Sequence, residues 1–137
     1  MTKKNIIISI FLVVIVFLIC ICVFTFNENR LKIIIKNNNN YVEEEINKAL
    51  EIIKQKNNQQ PIVIKKIMYD ESLFSNTIQK WTEEYNDVIV VSIDYKVKTS
   101  KNAYDYGLKP GKIYKNWICV LVKNDNGKWI IKSEGLG

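Results

Sequence analysis

Residues 87–98, DVIVVSIDYKVK, decide how this chain folds. Ile89, Val91, Ile93, Tyr95 and Val97 fall on one face of an extended backbone, and Val88, Val90, Ser92, Asp94, Lys96 and Lys98 on the other. A period of two over this length fits a strand and no helix. The first face is apolar throughout and needs a partner layer. The second becomes fully wet only at its far end.

Working outward, residues 99–111 read as a loop, with Gly107 and Pro110-Gly111 as turn signals. Residues 112–123, KIYKNWICVLVK, form another long strand. Asn124-Asp125-Asn126-Gly127 is a hairpin turn, and residues 128–134 form the returning strand. Upstream, Ile78, Trp81 and Tyr85 at i, i+3 and i+7 suggest a short helix with Glu83 and Glu84 on its wet side. Residues 62–69, IVIKKIMY, read as a strand between Pro61 and Asp70. A longer helix begins at Tyr41, with Asn40 as N-cap and Glu43 at the third position of a capping box. Glu43, Glu44 and Glu45 suit its first turn; Lys54 and Lys56 suit its last. Val42, Ile46, Ala49, Leu50 and Ile53 form its apolar stripe, and Asn57 to Gln60 end it before Pro61. The expected fold is α+β, one main helix packed on a bent antiparallel sheet of about four strands over residues 41–137. The chain shows no internal repeat.

The N-terminus is of another kind. An uncharged run of 21 residues begins at Ile6 and ends at Phe26, interrupted only by Ser9 and Thr25. As a helix it spans about 31 Å, matching a hydrocarbon core of about 30 Å. A cleavable signal peptide has a shorter apolar stretch and small residues before the cut, whereas this run ends CVFTF. A lipoprotein needs a small residue before the lipidated Cys, but Cys20 follows Ile19 and Cys22 follows Ile21. The expected organisation is a cytoplasmic tail at 1–5, a retained single-pass anchor at 6–26 in the cell membrane, a stalk at 27–40 and an extracytoplasmic domain. Lys3 and Lys4 favour the N-terminus inside, although Arg30, Lys32 and Lys36 follow the span. The patch at 31–35 can extend the anchor helix, form a short strand or rest on the membrane. A juxtamembrane continuation is preferred.

The anchor explains the composition. The whole chain is 47% hydrophobic, yet residues 27–137 hold 45 hydrophobic residues in 111, ordinary for a globular domain. That part carries 18 cations against 14 anions; the whole chain is +6. The chain has no His. This excludes Ser-His-Asp and Cys-His triads, imidazole general bases and His metal ligands.

Several motifs together carry a resemblance. They are Tyr69-Asp70-Glu71, Trp81 with Tyr85, residues 87–92, Tyr114-x-Asn116-Trp117-x-x-x-Leu121, Gly127-Lys128-Trp129-x-Ile131 and Gly135. In order and Trp placement they resemble small exported or membrane-anchored cystatin-like and NTF2-like domains of Gram-positive bacteria, many of uncharacterised function. The resemblance implies an N-terminal helix wrapped by a bent antiparallel sheet. Enzymes of that group often use an Asp with His or Tyr in a pocket between helix and sheet. That dyad does not map onto this His-free chain, so the resemblance carries over no activity.

Candidate sites remain. Tyr69, Asp70 and Glu71 with Asp94 can serve as an acid–base pair or a cation site; alternatively Asp70 caps a turn and Asp94 is solvated. Trp81, Tyr95, Tyr114, Trp117 and Trp129 can stack a peptide, glycan or apolar ligand; alternatively Trp117 and Trp129 are core or a cross-strand pair. Tyr104 and Tyr106, in a loop with Lys101 and Lys109, are the first place to look for a recognition edge. Cys119 reads as a small buried hydrophobe, and no zinc or disulfide framework is present. Lys65, Lys66, Lys96, Lys98, Lys101, Lys109, Lys112 and Lys115 can line a surface for anionic headgroups or wall polymers, or simply coat strand edges. The expected function is a non-enzymatic envelope accessory or binding domain without cofactor or metal. Its expected partners are the bilayer, through residues 6–26, and an unidentified protein or cell-envelope component, not nucleic acid. The alternatives are a scaffold subunit of a secretion or conjugation-type complex, and a small-ligand pocket protein or enzyme.

Overall fold

The computed structural model describes residues 2–28 and 30–136. They form two units, divided after Arg30.

The first unit is one helix, α1 (Lys3–Glu28). Residues Lys3–Phe26 are long and apolar enough to cross a membrane or act as a signal anchor. Their side chains are exposed within this unit, as expected of a helix whose partner is not protein. Thr25 Oγ1 donates back to the carbonyls of Ile21 and Cys22, both at 3.0 Å, so its hydroxyl needs no outside partner.

The second unit runs from Leu31. Its elements are β1 (Lys32–Lys36), α2 (Glu43–Gln59), β2 (Ile62–Asp70), α3 (Ser75–Thr82), β3 (Val88–Val97), a 3₁₀ turn (Lys101–Tyr106), β4 (Ile113–Lys123) and β5 (Trp129–Leu136). They make an α+β unit with one sheet in the order β1-β2-β3-β4-β5. The sheet has five strands rather than about four, and it is mixed rather than antiparallel. The additional strand is β1, which pairs parallel with β2 from Lys32 opposite Lys66 to Lys36 opposite Asp70. Part of the expected stalk is therefore sheet. The apolar patch satisfies its backbone on β2, and α2 supplies the long crossover that a parallel pair requires.

The stripe of α2 buries Ile46, Ala49, Leu50 and Ile53 completely. Each large member contributes about 2 kcal/mol. They pack on Ile89, Val91, Ile93 and Val97 of β3 and on inward residues of the neighbouring strands. The helix starts two residues later than expected. Val42 is the N-cap and is 68% exposed, and Glu43 is the first helical residue. Asn40 does not cap the helix, because Glu71 engages its side chain and its amide.

The opposite sheet face is not bare. Val88, Val90, Val120 and Val122 form a second buried cluster with Phe74, and Ile78, Trp81 and Tyr85 pack against it. The short helix therefore makes a third layer over part of the sheet, where two layers were expected. Beyond it, Asp94 is half-buried and Lys96 exposed, so this face opens to water toward the end of β3.

Three strands carry an irregularity where one extra residue enters. Lys65 intervenes in β2 between Ile64 and Lys66, which face Tyr95 and Asp94. In β4, three steps from Trp117 to Tyr114 match two from Ile93 to Tyr95. In β5, Ser133 and Ile131 face the adjacent Val120 and Leu121, which leaves Lys132 unpaired. Such bulges bend a strand and switch which residues face inward. At the β4 bulge Asn116 adopts a left-handed φ of 53°, and its N–H donates to Asp94 Oδ1 at 2.9 Å.

Candidate functional site

The bulges assemble a pocket at one end of the inner sheet face. In β4 the extra residue brings Tyr114 onto the same side as Trp117. Tyr95 and Tyr114 stack with centroids 5.0 Å apart, and Trp117 meets both edge-on, at 6.0 and 5.6 Å. In β5 the unpaired Lys132 turns Glu134 inward, opposite Cys119. The last turn of α2 delivers Lys56, whose Nζ donates to Glu134 Oε2. The 3₁₀ turn, ended by Gly107 at a left-handed φ of 68°, adds Tyr106 and Leu108 at the rim. The resulting cavity is about 250 Å³.

Its electrostatics follow from this packing. The Lys56 side chain is only 8% exposed, against 35% for Glu134, so the ammonium is the more dependent on its partner. Burial, then neighbouring Tyr114 and Glu134, push the Tyr95 phenol up to about 12. Burial likewise pushes the Cys119 thiol up to about 12, so it stays protonated at neutral pH. Lys112 Nζ lies 4.4 Å from the Tyr114 ring centroid, which places a cation on that ring.

The hydrogen-bonding groups of the pocket are mostly unused. Among the described residues, no protein partner holds the hydroxyls of Tyr95, Tyr106 and Tyr114, the indole N–H of Trp117 or the side-chain amide of Gln60. Lys56 has three donors, and Glu134 takes one.

A second, larger groove of about 670 Å³ contains Glu71, whose acceptors are engaged. Glu71 accepts from Asn39 N–H at 3.0 Å, Asn40 N–H at 2.9 Å, Asn40 Nδ2 at 3.0 Å and Tyr69 O–H at 2.5 Å. Tyr41 O–H accepts from Val88 N–H at 3.0 Å and donates to Asp87. These groups stitch the segment before α2 to β2 and β3. Their capacity is spent on the fold.

The candidate residues therefore separate. Tyr106 and Tyr114 line the pocket, while Tyr104 is 70% exposed and outside its wall. Asp70 caps the turn after β2, accepting from Ser72 N–H, Leu73 N–H and the Ser72 hydroxyl, and it also holds Asn37 Nδ2. Asp94 does not join Asp70 and Glu71. It faces Lys66 on β2 and pairs with that ammonium at 2.9 Å, so it is engaged rather than simply solvated. Trp129 is core at 6% exposure and Trp117 packs against the same core. They are not a cross-strand pair, since Trp117 faces Leu136 and Trp129 faces Lys123. Trp81 belongs to the opposite face. Of the lysines that can line a surface, Lys66 is paired with Asp94 and Lys112 lies on Tyr114. Among the described residues no group of three or more His, Cys, Asp or Glu side chains can hold a metal.

No protein-family model, curated protein or solved structure matches this chain. The site is thus described by its own geometry.

Sequence reasoning missed the Lys56–Glu134 pair. One signal was available. Lys56 follows Ile53 by three residues and so lies on the apolar stripe of α2, where a cation needs a partner. No comparable signal marked Glu134, since strict alternation from Trp129 and Ile131 turns Ser133 inward instead.

Proposed function

We propose that this chain is a single-pass, membrane-anchored binding protein of the cell envelope. Residues 6–26 span the membrane with the N-terminus inside, and the α+β domain stands outside as a non-enzymatic accessory module. The anchor reading is supported by the length and apolarity of α1, and the orientation by Lys3 and Lys4 ahead of it. A cystatin-like or NTF2-like layout is supported by the long helix laid on the sheet, with β1 as a departure from it.

One observation carries the binding role. The pocket at Lys56, Tyr95, Tyr114, Trp117 and Glu134 keeps hydrogen-bonding groups without protein partners beside an ion pair whose ammonium is nearly buried, whereas Glu71 in the larger groove has spent its acceptors on the fold. Convergent polar groups over an aromatic floor are the usual composition of a ligand site. The pocket alternative, an enzyme or small-ligand binder, calls for a polar cavity with Asp70, Asp94 or Tyr114; Tyr114 lines this one, while Asp70 and Asp94 lie elsewhere. The scaffold alternative draws on β5, an edge strand of eight residues with Leu136 74% exposed.

A photo-crosslinking residue in place of Tyr106, in the full chain in its native membrane, tests the binding role. A specific envelope adduct that is absent from the Trp117→Ala chain is expected. Protease shaving of intact cells tests topology, and protection of residues 41–137 would refute the outside assignment. A strictly monomeric full chain counts against the scaffold.

A further inference from the structure

We propose that the Lys56–Glu134 pocket takes a neutral polyhydroxylated ring, a single pyranose unit held against Tyr114 and Trp117. This rests on the binding role proposed above and specifies its ligand class.

Size comes first. At about 250 Å³ the cavity lies below the roughly 300–1,000 Å³ of drug-sized ligand sites, so it admits one small ring. Charge comes second. Lys56 and Glu134 neutralise each other, and Lys56 is nearly buried. A charged ligand must part this pair or lie beside a like charge, and stranding either partner is costly. A neutral ligand keeps the pair intact and can still accept from the spare N–H groups of Lys56 and donate to Glu134.

Hydrogen-bonding capacity comes third. The Tyr95 and Tyr114 hydroxyls, the Trp117 N–H and the Gln60 amide all lack protein partners among the described residues. A purely apolar ligand would cover these groups without pairing them. A ring bearing several hydroxyls supplies both donors and acceptors in a small volume. Surface comes fourth. The same cavity is walled by Tyr106, Trp117, Ile62 and Leu108, which suit the C–H face of such a ring, while Tyr114, stacked on Tyr95 and in contact with Lys112, offers its hydroxyl. Tyr106, half exposed at the rim, is placed to contact a second unit, so the ring can be a free sugar or one unit of a glycan chain.

The test is saturation-transfer NMR on the full chain in lipid nanodiscs, because a glycoside detergent would itself occupy the site. The probes are methyl β-glucopyranoside, N-acetylglucosamine and a chitin tetrasaccharide. Saturation of the ring protons of at least one probe is expected. Trp117→Phe and Tyr114→Phe should each weaken binding about tenfold, the size of one lost hydrogen bond in a buried site. Trp81→Phe, on the opposite sheet face, should leave it unchanged. Monosaccharide binding insensitive to Tyr106→Ala indicates a free sugar, and tetrasaccharide binding weakened by Tyr106→Ala indicates a chain; both support the ring. No transfer to any probe overturns the proposal, as does equal weakening by Trp81→Phe. If the sugars fail while the Tyr106 crosslink persists, the ring proposal falls and the binding role stands. If both fail, both fall.

Discussion

Lys56 in the last turn of α2 donates to Glu134 of β5, 78 residues further along the chain. This contact ties the end of the helix to the edge strand and lines the pocket. Its two partners are unequal, with Lys56 far more buried than Glu134. Removing Glu134 strands an ammonium that water barely reaches. Removing Lys56 strands a carboxylate that water partly solvates. Glu134→Leu should therefore cost about 3 kcal/mol and Lys56→Met only about 1–2 kcal/mol. The double variant should recover most of the loss, because two apolar side chains leave no orphan charge. Urea unfolding of the full chain, followed by Trp fluorescence, measures all three. Equal single costs would mean that the pair is not buried asymmetrically.

Glu71 holds a different junction. Its carboxylate takes two backbone amides and the Asn40 side chain from the segment between β1 and α2, and also the Tyr69 hydroxyl. Glu71→Ala leaves these donors without acceptors and should cost about 2–4 kcal/mol. The effect should be local first. Amides of β1 should exchange with solvent markedly faster in Glu71→Ala, while those of β3 keep their protection. Unchanged exchange across β1 would show that pairing with β2 alone holds that strand.

What was legible in the sequence follows from how local each signal is. The alternation over residues 87–97, the helical stripe at Ile46, Ala49, Leu50 and Ile53 and the Asn-Gly turn at 126–127 are set by neighbours within a few residues, and the strands and helices appear where those patterns place them. β1 was legible only as one of three readings of the patch at 31–35, because a parallel pairing is decided by residues 34 positions away, and nothing within KIIIK separates it from a stalk. The pocket was half legible. Tyr106 and Tyr114 were singled out as aromatic, but the β4 and β5 bulges that turn Tyr114 and Glu134 inward depend on cross-strand register. Asp70 was legible as a turn cap, but the role of Glu71 was not, because sequence shows charge and not the donors that consume it.

Asp94 gives the domain part of its acid sensitivity. Burial raises its pKa, but the Lys66 ammonium and the Asn116 amide outweigh this and hold the carboxyl below its ordinary range. A depressed folded-state pKa means that the unfolded chain takes up the proton first as pH falls. The stabilisation is thus fully present above the ordinary carboxylate range and is lost as pH drops through the lowered value. Asp94→Asn should lower stability by about 1 kcal/mol at neutral pH, a modest figure because the pair is partly wet. The difference from the parent should shrink toward zero as pH falls through the lowered carboxyl range. Urea midpoints measured down that range decide it, and a constant difference would assign the loss to packing instead.

Cys119 reports on the core beneath the pocket. It is fully buried in β4, facing Glu134, and burial raises its thiol to about 12. Only the thiolate reacts with disulfide reagents, so both the closed strand and the protonated thiol should protect it. In a Cys20→Ser, Cys22→Ser chain, Cys119 should resist such a reagent at about pH 8 and react fully once the domain is unfolded in urea. Between these limits, labelling should proceed at a rate set by opening of the domain. Glu134→Leu, which loosens the contact between β5 and α2, should therefore speed the reaction, by about tenfold for each 1.4 kcal/mol of stability lost. Rapid labelling of the folded parent would mean that the core does not shield Cys119.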